Sequence, residues 1–237
     1  MSIFRLFNKK TSISASGILV DSVDRHTHIL PGVDDGIKTI EESLAVLDFL
    51  EKEGVSTVWC TPHIMEDIPN TTEDLKRKFD ELKQVYQGSV KLKLAGEYMI
   101  DTLLTERLKN KDILTMEENM VLVETSMHTP PYNMKYILND MLSMGYFPLL
   151  AHAERYTYLR KKDYSKLRSM GVRLQLNFGS LVGFYGNSIK SKALLLLENG
   201  MYHCSGSDCH RKRIVCDQYN KKVLNPKVIP YLQRISK

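Results

Sequence analysis

Short apolar runs rich in β-branched and aromatic residues recur along this chain, and most of them end on a histidine or a carboxylate before an amphipathic stretch begins. Ile18 to Asp24 runs into Arg25-His26-Thr27-His28, Val55 to Cys60 into Thr61-Pro62-His63, and Val90 to Ala95 into Gly96-Glu97. Met120 to Val123 ends at Glu124, Phe147 to Ala151 at His152, and Val172 to Leu176 at Asn177. Met201 to Cys204 leads to Ser207-Asp208-Cys209-His210. Strand, helix, strand with short connections is the rhythm of a parallel sheet.

The intervening stretches carry helix signals. Thr39-Ile40-Glu41-Glu42 forms a capping box, Ile40, Leu44, Leu47 and Leu50 fall at helical spacing, and Gly54 supplies the stop. Further helices are predicted over 72–86, 101–109, 133–144, 163–170 and 187–198. The pattern makes about seven β/α units with no internal repeat and no linker able to split the chain. We therefore expect an α/β fold, a β/α barrel in a single domain over 18–237, with 1–17 as a loosely held N-terminal extension. In such a barrel the C-terminal strand ends converge on one face. His26, His28, His63, Glu97, Glu124, His152, Asp208 and His210 would meet there, joined by the carboxylates of Asp34-Asp35-Gly36.

Composition narrows the alternatives. With 43% hydrophobic and 26% charged residues and no apolar stretch long enough to span a bilayer, the chain resembles a globular protein. Its first residues place bulky apolar side chains ahead of Lys9 and Lys10, the reverse of a secretory signal, and we expect a cytoplasmic protein. A net charge of +5 from interspersed acids and bases does not point to nucleic acid, and an anionic substrate is compatible with it. Cys60, Cys204, Cys209 and Cys216 lack metal or disulfide spacing and are expected as buried thiols.

A set this large exceeds the three or four ligands of one ion, so two or three divalent ions are expected. Mixed imidazole and carboxylate ligation suits Mn, Fe or Zn better than Mg. With a bridging carboxylate such as Glu97, two cations about 3.5–4 Å apart share a hydroxide that is nucleophilic at neutral pH, chemistry suited to phosphoester hydrolysis. Arg155, three residues past His152, could clamp phosphate oxygens, or instead pair with Glu154. Arg211, Lys212 and Arg213 could attract an anionic substrate or form a solvated face.

His26-Thr27-His28 through Asp34-Asp35-Gly36, Thr61-Pro62-His63, Gly96-Glu97, Ala151-His152-Ala153-Glu154-Arg155, Ser180 to Gly186 and Ser207-Asp208-Cys209-His210 resemble the ordered motifs of the polymerase and histidinol phosphatase (PHP) superfamily. Within it they are most similar to the manganese-dependent protein-tyrosine phosphatases of bacterial capsule and exopolysaccharide clusters, the CpsB and YwqE type. The resemblance implies a distorted (β/α)7 TIM-like barrel with a trinuclear Mn2+ centre. One ion would take His26, His28, Glu97 and Asp208, a second Glu97, Glu124 and His152, and a third Asp35, His63 and His210, with Asp34 as the alternative to Asp35. Arg155 and Asp208 would be catalytic, and Arg155 with Arg211 would bind substrate. Ala153 stands where relatives often have Pro, and the leader exceeds the usual family start.

The expected reaction is attack of metal-activated hydroxide on phosphotyrosine. Phenolate, with a pKa near 10, leaves without much help from a general acid. Tyr132, Tyr156, Tyr158 and Tyr185 could line the mouth. A cysteine-based mechanism is excluded by spacing, because six residues separate Cys204 from Arg211 where five are needed. The expected partner is the phosphotyrosine tail of a membrane tyrosine autokinase, with self-association left open. The competing readings are a small-molecule phosphatase such as histidinol phosphatase, and a non-catalytic metal-binding regulatory module.

Overall fold

The structure, a computed structural model, describes residues 9–237. Among the described residues nine strands, all paired in parallel, form the centre. β1 (Ser22–Thr27), β2 (Val55–Cys60) and β4 (Lys91–Leu94) make one sheet in the order β1-β2-β4. β3 (His63–Ile64), β5 (Glu97–Met99), β6 (Met120–Glu124), β7 (Phe147–Leu150), β8 (Arg173–Asn177) and β9 (Cys204–Gly206) follow one another across the second. Parallel strands need crossovers, and the helices supply them. These are α1 (Ile40–Lys52), α2 (Thr72–Val85), α3 (Thr102–Asn110), α4 (Met134–Ser143), α5 (Lys161–Ser169), α6 (Phe178–Leu181) and α7 (Asn187–Glu198), with α8 (Lys212–Asn220) and α9 (Ile229–Ile235) closing the chain. The result is a mixed α/β fold whose parallel strands curve into a half-barrel.

The boundary between the two sheets is local chemistry. Pro62, which has no N–H to give a ladder, separates β2 from β3, and Gly96 separates β4 from β5. Hydrogen bonds still cross the gap, from Ala95 N to Cys60 O at 2.9 Å and from Glu97 N to Pro62 O at 2.9 Å. On the other side, His28 N donates to Cys209 O at 3.0 Å and Asp208 N to His26 O at 2.8 Å, tying β1 to the segment after β9.

Two apolar layers flank the strands. Trp59, Ala95, Met120, Leu122, Leu149, Ala151 and Cys204 share an inner cluster, whereas Val58, Val121, Val123, Leu150, Leu174 and Leu176 pack with the helices. Because side chains alternate along a strand, inner residues predict which later ones also point inward. Trp59 is in phase with His63, Ala95 with Glu97, and Leu122 with Glu124.

Several expected boundaries move. The first strand was expected from Ile18, but Gly17 (φ 74°) and Asp21 (φ 56°) adopt left-handed conformations that a strand excludes, and Ile18 and Leu19 are buried in the intervening turns. β1 therefore starts at Ser22, and His26 lies within it. The last strand begins at Cys204 instead of Met201, and α8 and α9 were not anticipated.

The extension is not loosely held where it is described. Thr11 pairs with Leu224, and Ile13 is fully buried in the main core. Residues 1–8 of that expected extension lie outside the described residues. Ile13→Ala is expected to cost about 2–5 kcal/mol of stability, the usual range for a buried Ile truncation, read as a lowered midpoint in urea. An unchanged midpoint would show that this packing contributes nothing.

Candidate metal centre

Glu97 is the hub. It is fully buried at the start of β5, aimed inward by the phase it shares with Ala95. Its Oε2 lies 3.2 Å from His26 Nε2, 3.2 Å from His28 Nε2 and 3.1 Å from His63 Nδ1, and its Oε1 lies 3.1 Å from His152 Nε2. His26 and His28 sit two residues apart and so face the same way, with their Nε2 atoms 3.1 Å from one another. A register shift in the β1–β2 pairing between Asp24 and Thr27 changes the phase from inner Val23 and brings His26 inward.

The residues of the three expected ligand sets meet in one cluster, but the second is divided, His152 grouping with His26 and Glu97 and Glu124 with His63 and Glu97. Asp208 Oδ1 completes the first at 3.5 Å from His26 Nε2 and 3.4 Å from His28 Nε2. In the second, Glu124 Oε2 lies 3.6 Å from His152 Nε2. In the third, Asp35 Oδ1 lies 3.5 Å from His63 Nε2 and 3.2 Å from His210 Nε2. His63 bridges two sets, since its Nδ1 is also 3.0 Å from Glu124 Oε1.

Strand alternation alone would aim His152 outward, in phase with Leu150. Its backbone instead turns left-handed at φ 33°, and Asp208 does the same at φ 55°. Such conformations cost non-glycine residues roughly 1–3 kcal/mol and concentrate at functional positions.

The adjacent carboxylates Asp34 and Asp35 divide the work. Asp34 turns into the protein, where its Oδ2 accepts from His28 Nδ1 at 2.8 Å and from His63 N at 3.0 Å. Burial opposes its charge, but the hydrogen bond from His28 prevails and pulls its pKa down to about 2. Asp34 thus orients His28 from behind, leaving Nε2 free for the cluster, while the more exposed Asp35 faces His63 and His210. Gly36 permits this fold-back, because a Cβ there would meet His28 O at 2.1 Å. Asp34→Asn should weaken metal binding or activity about 10–100-fold, as loss of an outer-shell partner does. Titration of the apoprotein with Mn2+ measures this, and unaltered affinity would remove the orienting role.

Arg155 does not pair with Glu154. Its Nη1 donates to Asp208 Oδ2 at 3.0 Å, and its guanidinium lies 4.3 Å over the Tyr185 ring. Asn177 Nδ2 donates to the same Asp208 Oδ2 at 2.9 Å. Glu154 is buried behind, accepting from Asn177 N and Tyr202 OH, each at 3.0 Å. Arg211, expected to bind substrate, turns away. Its Nη1 donates to the carbonyls of Asp35 at 2.8 Å and His210 at 2.6 Å, so it holds the Asp35 loop and does not line the cleft. The rest of that charge run, Lys212 and Arg213, is a solvated face. Of the expected tyrosines only Tyr185 lines the cleft, which has a volume of about 200 Å3. Tyr156 is buried beside His152, and Tyr132 and Tyr158 line a neighbouring groove.

Gln175 and Asn177 were missed as site residues. Gln175 Oε1 accepts from His152 N at 2.6 Å and lies 3.3 Å from His26 Nδ1. Their signal was the end of the sixth apolar run, where an amide stands in the position occupied elsewhere by ligand-type residues.

The donor set fits divalent cations. Both Glu97 oxygens and His63 Nδ1 face the cluster, buried and without a well-aligned hydrogen bond among the described residues, an arrangement that costs free energy unless something else binds there. Four groups of three or more ligand atoms lie within 4.8 Å of one another. Burial disfavours the Glu97 charge, yet the imidazoles of His26, His152 and His28 overrule it and keep Glu97 well below the usual carboxylate range. Asp208 is likewise held down, against burial, mainly by His26. Both are therefore ionised at neutral pH, the form a cation requires. Burial pushes the Cys60 and Cys204 thiols up to about 12, so neither is a ready nucleophile.

Imidazoles and carboxylates gathered over one end of a parallel α/β sheet define the class of metal-dependent hydrolases. The chain belongs to the CpsB/CapC family of capsular polysaccharide synthesis, whose profile matches residues 22–219. The tyrosine-protein phosphatase CpsB of Streptococcus pneumoniae is 32% identical over 208 residues, covering 79% of this chain and 82% of that one. The tyrosine-protein phosphatase CpsB of Streptococcus agalactiae is 29% identical over 246 residues, covering 91% and 98%. A solved structure from work on YwqE of Bacillus subtilis and CpsB of Streptococcus pneumoniae, described as metal-dependent tyrosine phosphatases, superposes with a TM-score of 0.75. It covers 89% of this chain and 85% of that one at 24% identity, a likeness of fold.

Proposed function

We propose that this protein is a metal-dependent protein-tyrosine phosphatase. It would act in the cytoplasm on the phosphotyrosine tail of a membrane-bound bacterial tyrosine autokinase and so regulate capsular or exopolysaccharide synthesis. The observation that carries the reading is Glu97, a buried carboxylate ringed by four imidazoles, beside a guanidinium at the cleft wall. Family membership and the names of the relatives supply the substrate class. Among the described residues no helix is long and apolar enough to cross a membrane.

The residues that would hold the ions are His26, His28, Asp35, His63, Glu97, Glu124, His152, Asp208 and His210, with manganese expected from the family resemblance. Divalent ions held by these residues would supply a water nucleophile at neutral pH and charge neutralisation at phosphorus. Arg155, 21% exposed, would exchange its contact with Asp208 for the phosphate oxygens and offset the charge that develops on them. Tyr185 stacks beneath the guanidinium and limits its swing, while Asn177 keeps Asp208 in place when Arg155 leaves. Phenolate departs without a dedicated acid.

The sheet hydrogen bonds support reading the fold as a distorted (β/α)7 barrel. Joining β2 with β3 and β4 with β5 leaves seven strands, and the contacts between β1 and the segment after β9 close the circuit. The catalytic domain would span 18–237, with the extension up to residue 17 anchored through Thr11 and Ile13.

The test is hydrolysis of a phosphotyrosine peptide, p-nitrophenyl phosphate and histidinol phosphate by chelated protein before and after Mn2+ addition. Restored activity with preference for the peptide supports the proposal. Preference for histidinol phosphate overturns it in favour of a small-molecule phosphatase, and inactivity with every substrate in favour of a regulatory module.

A further inference from the structure

We propose that the groove between the loop after β6 and helix α5 binds the polypeptide flanking the target phosphotyrosine, as an extended acidic segment. This inference rests on the phosphatase reading and adds a second binding element to it. The cleft over the cluster, at about 200 Å3, falls below the roughly 300–1,000 Å3 of pockets that enclose a drug-sized ligand. It has room for a phosphorylated ring and little for the chain on either side. A peptide substrate must therefore run over adjoining surface.

The loops that wall the cleft lead directly to such a surface. Met127 lines the cleft, and the same loop continues through Pro130, Pro131 and Tyr132 into a groove of about 440 Å3. Arg155 lines the cleft, and the chain after it supplies Tyr158, Leu159 and Arg160 to the same groove. The two loops are joined, because Thr157 N donates to Met127 O at 2.9 Å and the hydroxyls of Thr125 and Tyr158 meet at 2.5 Å. Cleft and groove thus share continuous walls.

Charge and shape in the groove favour one kind of occupant. Lys135, Arg160 and Lys166 line it against a single carboxylate, Asp163. Neither Lys135 nor Lys166 is within ion-pair distance of an acid among the described residues, and Arg160 reaches Asp163 only at 3.8 Å. Tyr132 is fully exposed at the rim, an aromatic of the kind that anchors interfaces. Leu159, Leu167 and Met170 give an apolar floor for side chains of the bound segment. Exposed lysines of this sort raise association rates for acidic partners in a salt-dependent way.

The experiment compares wild-type protein with Lys135→Glu/Lys166→Glu and with Tyr132→Ala, all loaded with Mn2+. The substrates are a synthetic phosphotyrosine peptide with glutamates on both sides and p-nitrophenyl phosphate. We expect kcat/KM for the acidic peptide, relative to p-nitrophenyl phosphate, to fall at least about tenfold in the double variant, carried by KM, and the wild-type preference to weaken with salt. Fluorescence anisotropy with the same peptide carrying a non-hydrolysable phosphotyrosine mimic should show an equal loss of affinity. Because anisotropy needs no turnover, it separates the groove from the phosphatase reading. An unchanged affinity and substrate ratio would overturn the groove, whereas a mimic that binds without any substrate being hydrolysed would overturn the phosphatase reading alone.

Discussion

Replacing Glu97 with glutamine is expected to strip the protein of most of its bound metal and to lower phosphotyrosine turnover by more than about 100-fold, the upper figure for losing an outer-shell partner. Glutamine keeps the size of the side chain and removes the charge that four imidazole nitrogens share within 3.2 Å. Its amide cannot bridge cations as a carboxylate does. The fold should survive, because inner-layer contacts of Trp59, Leu122 and Leu149 are untouched. Metal analysis of the purified variant, its turnover and its circular dichroism check the three parts. A variant with full metal content and normal turnover would refute the assignment of Glu97 as the hub.

Arg155→Ala is expected to keep the metal and lose the rate. Removing a preorganised donor to a developing charge typically costs about 10²–10³ in kcat, or about 2.7–4 kcal/mol. Asp208 loses one of its two donors at Oδ2 and retains Asn177, so the ligand set stays ordered. Arg155→Lys restores charge without the planar fork and should recover only part of the loss. His28→Ala is the complementary control, since it deletes a nitrogen that meets both Glu97 and Asp208. Metal analysis and turnover measured on both variants separate the roles. Loss of metal in Arg155→Ala would show that the guanidinium is structural.

Much of the scaffold was legible because its causes are local. The capping box at Thr39, the β-rich Val55–Cys60 and the amphipathic Asn187–Glu198 appear in the structure where the sequence predicts them. Ile18 to Val20 misled because an apolar run reads alike in a strand and in a buried turn. The difference lies in the left-handed backbone of Gly17 and Asp21. Short strands such as His63–Ile64 have too few residues for a periodic signal and exist through pairing with Glu97 and Tyr98. Arg211 misled for another reason. Its charge is plain in the sequence, but which oxygen atoms surround it depends on a loop 176 residues away.

Residue type and position by themselves determined the inventory of candidate ligands, the alternation of strands and helices, and the exclusion of a cysteine nucleophile, since each follows from chemistry or short-range spacing. Only tertiary structure decided that Asp34 stands behind His28 while Asp35 faces His63 and His210, and that Arg155 pairs with Asp208 instead of Glu154. It also recruited Gln175 and Asn177 as supports. These choices depend on where backbone turns aim a side chain and on which partner from a distant segment arrives there. No local pattern along the chain encodes such a meeting.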